Sequence, residues 1–138
     1  MIKSTIEVVI VKELTKVEKE IARFLRNYIS NTVEVLFYES VSNAIDNKIS
    51  AKNLGEPLGN ISMCCYELDL PLLSTIVISQ EEMIPGDGYF ELLQTLGVIV
   101  ESELTVEQKK ELAKKQRDRL KDKNADWTKF DEYIGIVN

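Results

Sequence analysis

Two cysteines stand side by side, Cys64-Cys65, and they are the only thiols in a chain of 138 residues. Adjacent cysteines rarely bridge one another because the ring they would close is strained. With no third thiol there is no disulfide framework, so the pair is expected to act as small buried hydrophobes in a reducing compartment. Histidine is absent. That removes Ser-His and Cys-His triads, His-ligated zinc and a His general base. Metal sites made only of carboxylates remain open to the chain, but it carries neither an EF-hand loop nor a clustered acidic motif. Ser79, Glu81 and Glu82 set a hydroxyl beside two carboxylates. Without a basic partner to take the hydroxyl proton, they read as the solvated end of a strand. The expectation is therefore a non-enzymatic chain with no catalytic residue, no metal and no cofactor.

The charges offer a second kind of chemistry. The net charge is −6 and the pI about 4.8, a balance that repels phosphate backbones unless the basic groups are gathered on one face. They are partly gathered. Between Thr105 and Lys123 eight Lys/Arg face four acids, a local +4 that leaves −10 on the rest of the chain. Within this run Lys110, Lys114, Arg117 and Lys121 are the candidate nucleic-acid contacts. The competing reading is a solvated helix of mixed charge.

These groups must be positioned by a small set of elements. The central stretch is expected to be Leu70–Phe90, in which Leu72, Leu73, Ile76, Val77 and Ile78 form a short β-branched apolar run read as a buried strand behind Pro71. Gln80, Glu81 and Glu82 must face water. Pro85-Gly86 reads as a tight turn with positive φ at Gly86, and Gly88 as a second flexible point. Upstream, Ile2–Val11 suits a strand or a helix. Thr15-Lys16-Val17-Glu18 forms a capping box for a helix whose inner face carries Val17, Ile21, Phe24, Leu25, Tyr28 and Ile29.

Next come a short apolar link at Val33–Leu36, a helix over Tyr38–Asp46 burying Val41, Ala44 and Ile45, and a brief Ser50-capped element over Ala51–Leu54. Gly55 then breaks the pattern. A helix started by Glu56-Pro57 runs to Glu67, with Gly59 allowing another backbone to approach. Downstream lie a short helix or arm over Tyr89–Leu96 closed by Gly97, a possible strand at Val98–Val100, and a second capping box at Thr105–Gln108. That box opens a charged helix with a narrow apolar seam at Leu104, Leu112 and Leu120. An amphipathic terminal segment follows, carrying Trp127, Phe130, Tyr133 and Ile134.

The sum is an α+β chain of one compact domain: an N-terminal strand and helix over 1–32, a helical core with a short sheet over 33–100, and a charged C-terminal helical extension over 101–138. No apolar run approaches membrane-spanning length and no signal peptide opens the chain, so an intracellular (cytoplasmic) protein without membrane partners is expected.

The order YESVSNAI, NLGEPLGNISMCC, LPLLSTIVIS, PGDGYF resembles the small winged-helix domain of the alkyltransferase-like DNA repair proteins. It is also similar to small winged-helix modules found alone or at the front of modified-DNA restriction enzymes. Leu58-Gly59-Asn60 matches the Val-Gly-Asn part of the recognition helix in the first group. The Leu-Pro strand, the Pro-Gly-x-Gly turn and a late Trp (Asp126-Trp127 here) match the second. The likeness runs from Val33 to Trp127 and implies a winged-helix-like core with a wing near Pro85–Gly88. Two departures alter what it implies. Where the family's nucleophile sits in Pro-Cys-His-Arg, this chain has Ile76-Val77-Ile78-Ser79, so alkyl transfer is not expected. The family's duplex-entering Arg aligns with Glu56, whose carboxylate repels phosphate.

The resulting expectation is a non-catalytic binding module, an acidic protein-binding adaptor or inhibitor in a phage or restriction-type defence setting. Its partner-binding residues would be Glu56, Asn60, Glu81, Glu82, Pro85, Gly86, Asp87 and Gly88. The alternative is a winged-helix DNA-binding protein that uses the basic helix and the Pro85–Gly88 turn.

Overall fold

In the computed structural model, which describes residues 13–100 and 103–136, six α-helices surround a two-stranded parallel sheet. The segment Ile2–Val11, for which a strand or helix was expected, lies outside the described residues. The fold is a small α+β arrangement built on one apolar cluster that reaches from Leu14 to Ile134.

Helix α1 (Lys16–Ile29) begins where its capping box dictates. The Thr15 hydroxyl accepts the Glu18 N–H, and the Glu18 carboxylate accepts the Thr15 N–H. Ile21, Ala22 and Leu25 are fully buried, whereas Phe24 is only half-buried at the margin of the core. Strand β1 is the two residues Leu36–Phe37, and α2 (Tyr38–Ala44) follows directly. Val41 and Ile45 turn inward, but Ala44 faces solvent, because α2 is too short to bury more than one side. Asp46 and Asn47 end it in left-handed geometry, which short polar side chains tolerate.

A 3-10 turn at Ala51–Asn53 leads into α3 (Gly55–Glu67). Gly55 does not break the chain here; it opens the helix, two residues ahead of Pro57 in the first turn. Ser50 precedes the 3-10 turn without capping it through its side chain.

The apolar run after α3 is fully buried as expected, but most of it is not a strand. Leu73–Ile76 winds as a 3-10 turn, and only Val77–Ile78 forms strand β2. Strand β2 pairs parallel to β1, Leu36 with Val77 and Phe37 with Ile78. A parallel pair needs a long crossover, and α2 with α3 supplies it. The 3-10 turn packs against α1, α3 and α5, so it is the hub of the core.

Pro85-Gly86 is not a positive-φ turn. Gly86 has φ −67 and ψ 172 and is the N-cap of α4 (Asp87–Thr95), while Gly88 sits inside that helix. The left-handed residue nearby is Met83, at the tip of a turn in which the Ser79 N–H donates to the Ile84 carbonyl. Gly97, at φ +75, closes α4, and Val98–Val100 is irregular rather than a strand.

Helix α5 (Val106–Arg119) starts at its own capping box on Thr105 and Gln108. It buries Ala113 and Gln116, with Leu120 just beyond and Leu112 and Leu104 half-buried, so the seam is as narrow as the sequence implies. Helix α6 (Thr128–Ile134) lays Phe130 and Ile134 on α1. Arg26 joins the two helices, with its guanidinium 4.8 Å from the Trp127 ring centroid and its Nε 2.9 Å from the Asp131 carboxylate. Burial raises the Asp131 carboxyl pKa, and Arg26 opposes that rise.

Candidate functional site

The site is built by α3 and α4. Along α3 Glu56, Gly59, Asn60, Met63 and Glu67 fall at i, i+3, i+4, i+7 and i+11, and along α4 Gly88, Glu91, Leu92 and Thr95 fall at i, i+3, i+4 and i+7. That spacing puts each set on one helical face. The two helices pack together and the two faces line a common groove of about 620 Å³. Its floor is apolar: Gly59, Met63, Gly88 and Leu92. Its rim carries the carboxylates Glu56, Glu67 and Glu91, and among the described residues lining this stretch none is Lys or Arg.

The floor is open because of its glycines. A Cβ built on Gly55, Gly59 or Gly88 would meet nothing within 4 Å, and none of the three has positive φ. The fold therefore needs glycine at these positions neither for conformation nor for close packing, although glycine inside a helix costs about 0.5–1 kcal/mol relative to alanine. Gly59 does not admit a neighbouring backbone of the same chain, as the sequence suggested; it faces empty space.

At the amino-terminal ends of both helices the groove deepens into a cleft of about 290 Å³, which shares Gly55, Gly59, Gly88 and Leu92 with it. Tyr38, Ser74 and Tyr89 supply the polar groups of its wall, with Lys52 at its edge. The Tyr38 hydroxyl accepts the Gly86 N–H at 2.8 Å, and a Cβ on Gly86 would lie 3.2 Å from that oxygen. A side chain here would push the Tyr38 hydroxyl back by a few tenths of an ångström, so glycine suits this close approach. Burial raises the Tyr38 phenol pKa, with the Gly86 N–H pulling the other way. The Tyr89 hydroxyl lies 2.7 Å from the Thr75 hydroxyl, and burial pushes its pKa far up. Both phenols are thus neutral hydrogen-bonding groups across the ordinary pH range, unsuited to proton transfer.

Of the residues singled out from the sequence, Glu56, Asn60, Gly86, Asp87 and Gly88 come together around this cleft and groove. Asn60 is also tied down, its amide donating to Glu18 at 2.8 Å. Asp87 takes an ion pair from Lys109 at 3.5 Å, and the same ammonium lies over the Phe90 ring, so α5 is hooked to the start of α4. Glu81 and Glu82 are exposed on the Ser79–Ile84 turn and line neither space, and Pro85 is buried. Sequence reasoning missed Tyr38, Lys52, Met63, Glu67, Glu91 and Leu92. The available signal was the three-and-four spacing of Gly, Glu and Leu on α4, where only a short helix or arm was expected.

The second candidate face is α5. Lys110, Lys114 and Arg117 recur at helical spacing, with Lys121 one step beyond the helix, and form a ridge beside the buried seam. Lys110 lies 3.9 Å from Glu107 and Lys121 3.4 Å from Asp118, so acids interleave with the ridge.

Cys64 and Cys65 sit on the core side of α3, both buried. Burial, helped by Glu67, pushes the Cys64 thiol up to about 11, and burial pushes Cys65 higher still. A thiol held protonated is a poor nucleophile. No group of three His, Cys, Asp or Glu gathers in metal-holding geometry among the described residues, and no described helix is long and apolar enough to cross a membrane. Comparison with protein-family models, curated proteins and solved structures finds no match to this chain.

Proposed function

We propose that the protein is a non-enzymatic binding module whose partner is another protein, bound at the groove between α3 and α4. The observation that carries this reading is an open apolar floor flanked by carboxylates. An apolar patch rimmed by polar groups is the usual mark of an interaction surface. The adaptor or inhibitor role in a phage or restriction-type defence setting belongs to the same proposal. It rests on the sequence likeness alone.

The winged-helix reading of the fold is part of the proposal too. The succession of α2, a 3-10 turn and α3 supports it. The Pro85–Gly88 segment, which should open a wing, instead leads into α4 with Gly86 as its N-cap, and this supports a binding face on helices rather than on a hairpin.

A second reading, nucleic-acid binding through Lys110, Lys114, Arg117 and Lys121, draws on their common face on α5. The interleaved acids and the −10 carried by the rest of the chain weigh against it. Site-specific photo-crosslinking in the native host separates the two. A benzophenone side chain at Met63 should capture a protein, while the same group at Lys114 should capture neither protein nor nucleic acid. Nucleic acid recovered at Lys114 with nothing at Met63 would reverse the assignment.

A further inference from the structure

We infer that the occupant of the α3–α4 groove is an amphipathic helix with an apolar ridge and Lys/Arg flanks. This inference rests on the binding reading above and adds the chemistry of the partner.

Charge supplies the sign. Glu56 and Glu91 stand exposed at the rim beside Glu67, and of the residues lining groove and cleft Lys52 alone is basic; Asp87, at the amino-terminal end, is already offset by Lys109 and adds little. A partner with acidic flanks would meet like charge beside a surface losing its water, which disfavours it. Basic flanks meet their complement.

The walls supply the conformation. Both are α-helices, whose backbone groups are already bonded within the helix beyond the first turn. An extended peptide laid between them would find no edge to pair with, and its amides would be desolvated without partners. A helix satisfies its own backbone and presents only side chains, as in other helix-in-groove complexes.

The glycines supply the fit. Gly59 and Gly88 face open space that a Cβ would enter without touching the protein itself, so the guest helix can approach closely there. The lining of α3 from Glu56 to Glu67 spans three turns, roughly 16 Å at the helical rise. That length matches apolar side chains at i, i+4, i+7 and i+11 on the guest. The cleft of about 290 Å³ at the amino-terminal end sits just below the usual range for small-ligand sites, about 300–1,000 Å³. It suits a single terminal anchor side chain better than a free metabolite.

The test uses the full chain and a fluorescent synthetic peptide of about five helical turns, roughly 18 residues, with Leu at those four positions and Lys among the rest. A sister peptide carries Glu in place of Lys. The Lys peptide should bind and the Glu peptide should not. The double variant Glu56→Lys/Glu91→Lys should weaken the Lys peptide at least tenfold. The double variant Glu34→Lys/Glu132→Lys, which makes the same change of net charge at exposed positions away from the groove, should weaken it less than threefold. Gly59→Leu should abolish binding without lowering the melting temperature, since the new side chain enters open space.

Equal losses in the two double variants would show attraction to bulk charge and overturn the proposal. So would tighter binding of the Glu peptide, displacement of the Lys peptide by an oligonucleotide, or a dimer of the protein itself that the groove variants dissolve. If Met63 crosslinks a protein while the Lys peptide fails to bind, this partner chemistry is wrong and the binding reading survives. If neither occurs, both fall.

Discussion

The α3–α4 groove and the α5 ridge carry opposite charge, and they differ more deeply in what lies beneath it. The groove sets carboxylates around Gly59, Met63, Gly88 and Leu92. The ridge sets its cationic groups on exposed helix surface, with Val106 a turn before Lys110 as an exposed apolar neighbour, Lys110 half-exposed beside a largely exposed Glu107 and Lys121 equally open beside Asp118. Charges over water-exposed helix are worth little and are screened by salt. Charges beside an apolar floor act where water is displaced on binding, and the floor adds the favourable term that charge alone lacks. A run of basic residues stands out in the sequence, yet the quieter recurrence of Gly and Glu, with Met63 on α3 and Leu92 on α4, lines the groove we propose as the binding surface.

Both regions hang on one hub, and removing it tests the comparison most severely. Ile76 is fully buried in the 3-10 turn that packs against α3 and α5. Ile76→Ala should cost about 2–5 kcal/mol, measured by denaturant unfolding, and should loosen groove and ridge together. An unfolding midpoint unchanged within error would mean that the two regions do not share this support.

The capping boxes sharpen the contrast at a smaller scale. Thr15→Ala and Thr105→Ala should each cost about 1 kcal/mol. The loss at Thr15 should be the larger, because its Glu18 partner is buried and also holds Asn60 of α3. The Thr105–Gln108 box stands exposed at the start of α5. Equal losses by thermal unfolding would show that α5 is anchored as firmly as α1.

The back of α3 yields a pH dependence. The Cys64 thiol titrates near 11 when folded and near 9 in the ordinary chain, and Cys65 is displaced in the same direction. A raised folded pKa gives stability that is fully present below the unfolded value and lost as pH climbs through the folded one. Stability should therefore fall from about pH 9 toward pH 11. Tyr38 and Tyr89, also displaced upward, act in the same sense. A flat stability profile over this range would contradict the burial of the thiols. The same burial predicts that duplex carrying a labelled O6-alkylguanine leaves Cys64 and Cys65 unlabelled. Covalent label on either would restore the repair chemistry.

The smallest effect is expected on the ridge. Reversing Lys110, Lys114 and Arg117 to Glu should change stability by no more than about 0.5 kcal/mol per site. Wild-type affinity for duplex or single strands should stay in the non-specific range, on the order of 10⁻⁴–10⁻⁶ M at physiological salt. A gel shift at nanomolar protein that the triple reversal abolishes would move the binding site from the groove to the ridge.

Local chemistry alone determined where α1 and α5 begin. A Thr hydroxyl and a carboxylate or amide three residues on satisfy the first free amides whatever lies around them, so both boxes are legible as strings of letters. It also determined the inner face of α1 at Ile21 and Leu25, the extent of α3 to Glu67, and the absence of histidine chemistry. Tertiary structure decided the rest. The run Leu72–Ile78 is apolar at nearly every position because it is buried on all sides, and a sequence without periodicity cannot say whether it winds or extends. It forms strand at Val77–Ile78, where Leu36 and Phe37 offer backbone partners, and winds as a 3-10 turn over Leu73–Ile76. Gly86 reads locally as a turn residue; in the fold it caps α4 and lets the hydroxyl of Tyr38, distant in sequence, approach to where a Cβ would crowd it. The groove is legible least of all. Its two walls are ordinary helix faces, and only the packing of α4 against α3 across the central turn brings their glycines and carboxylates to one surface.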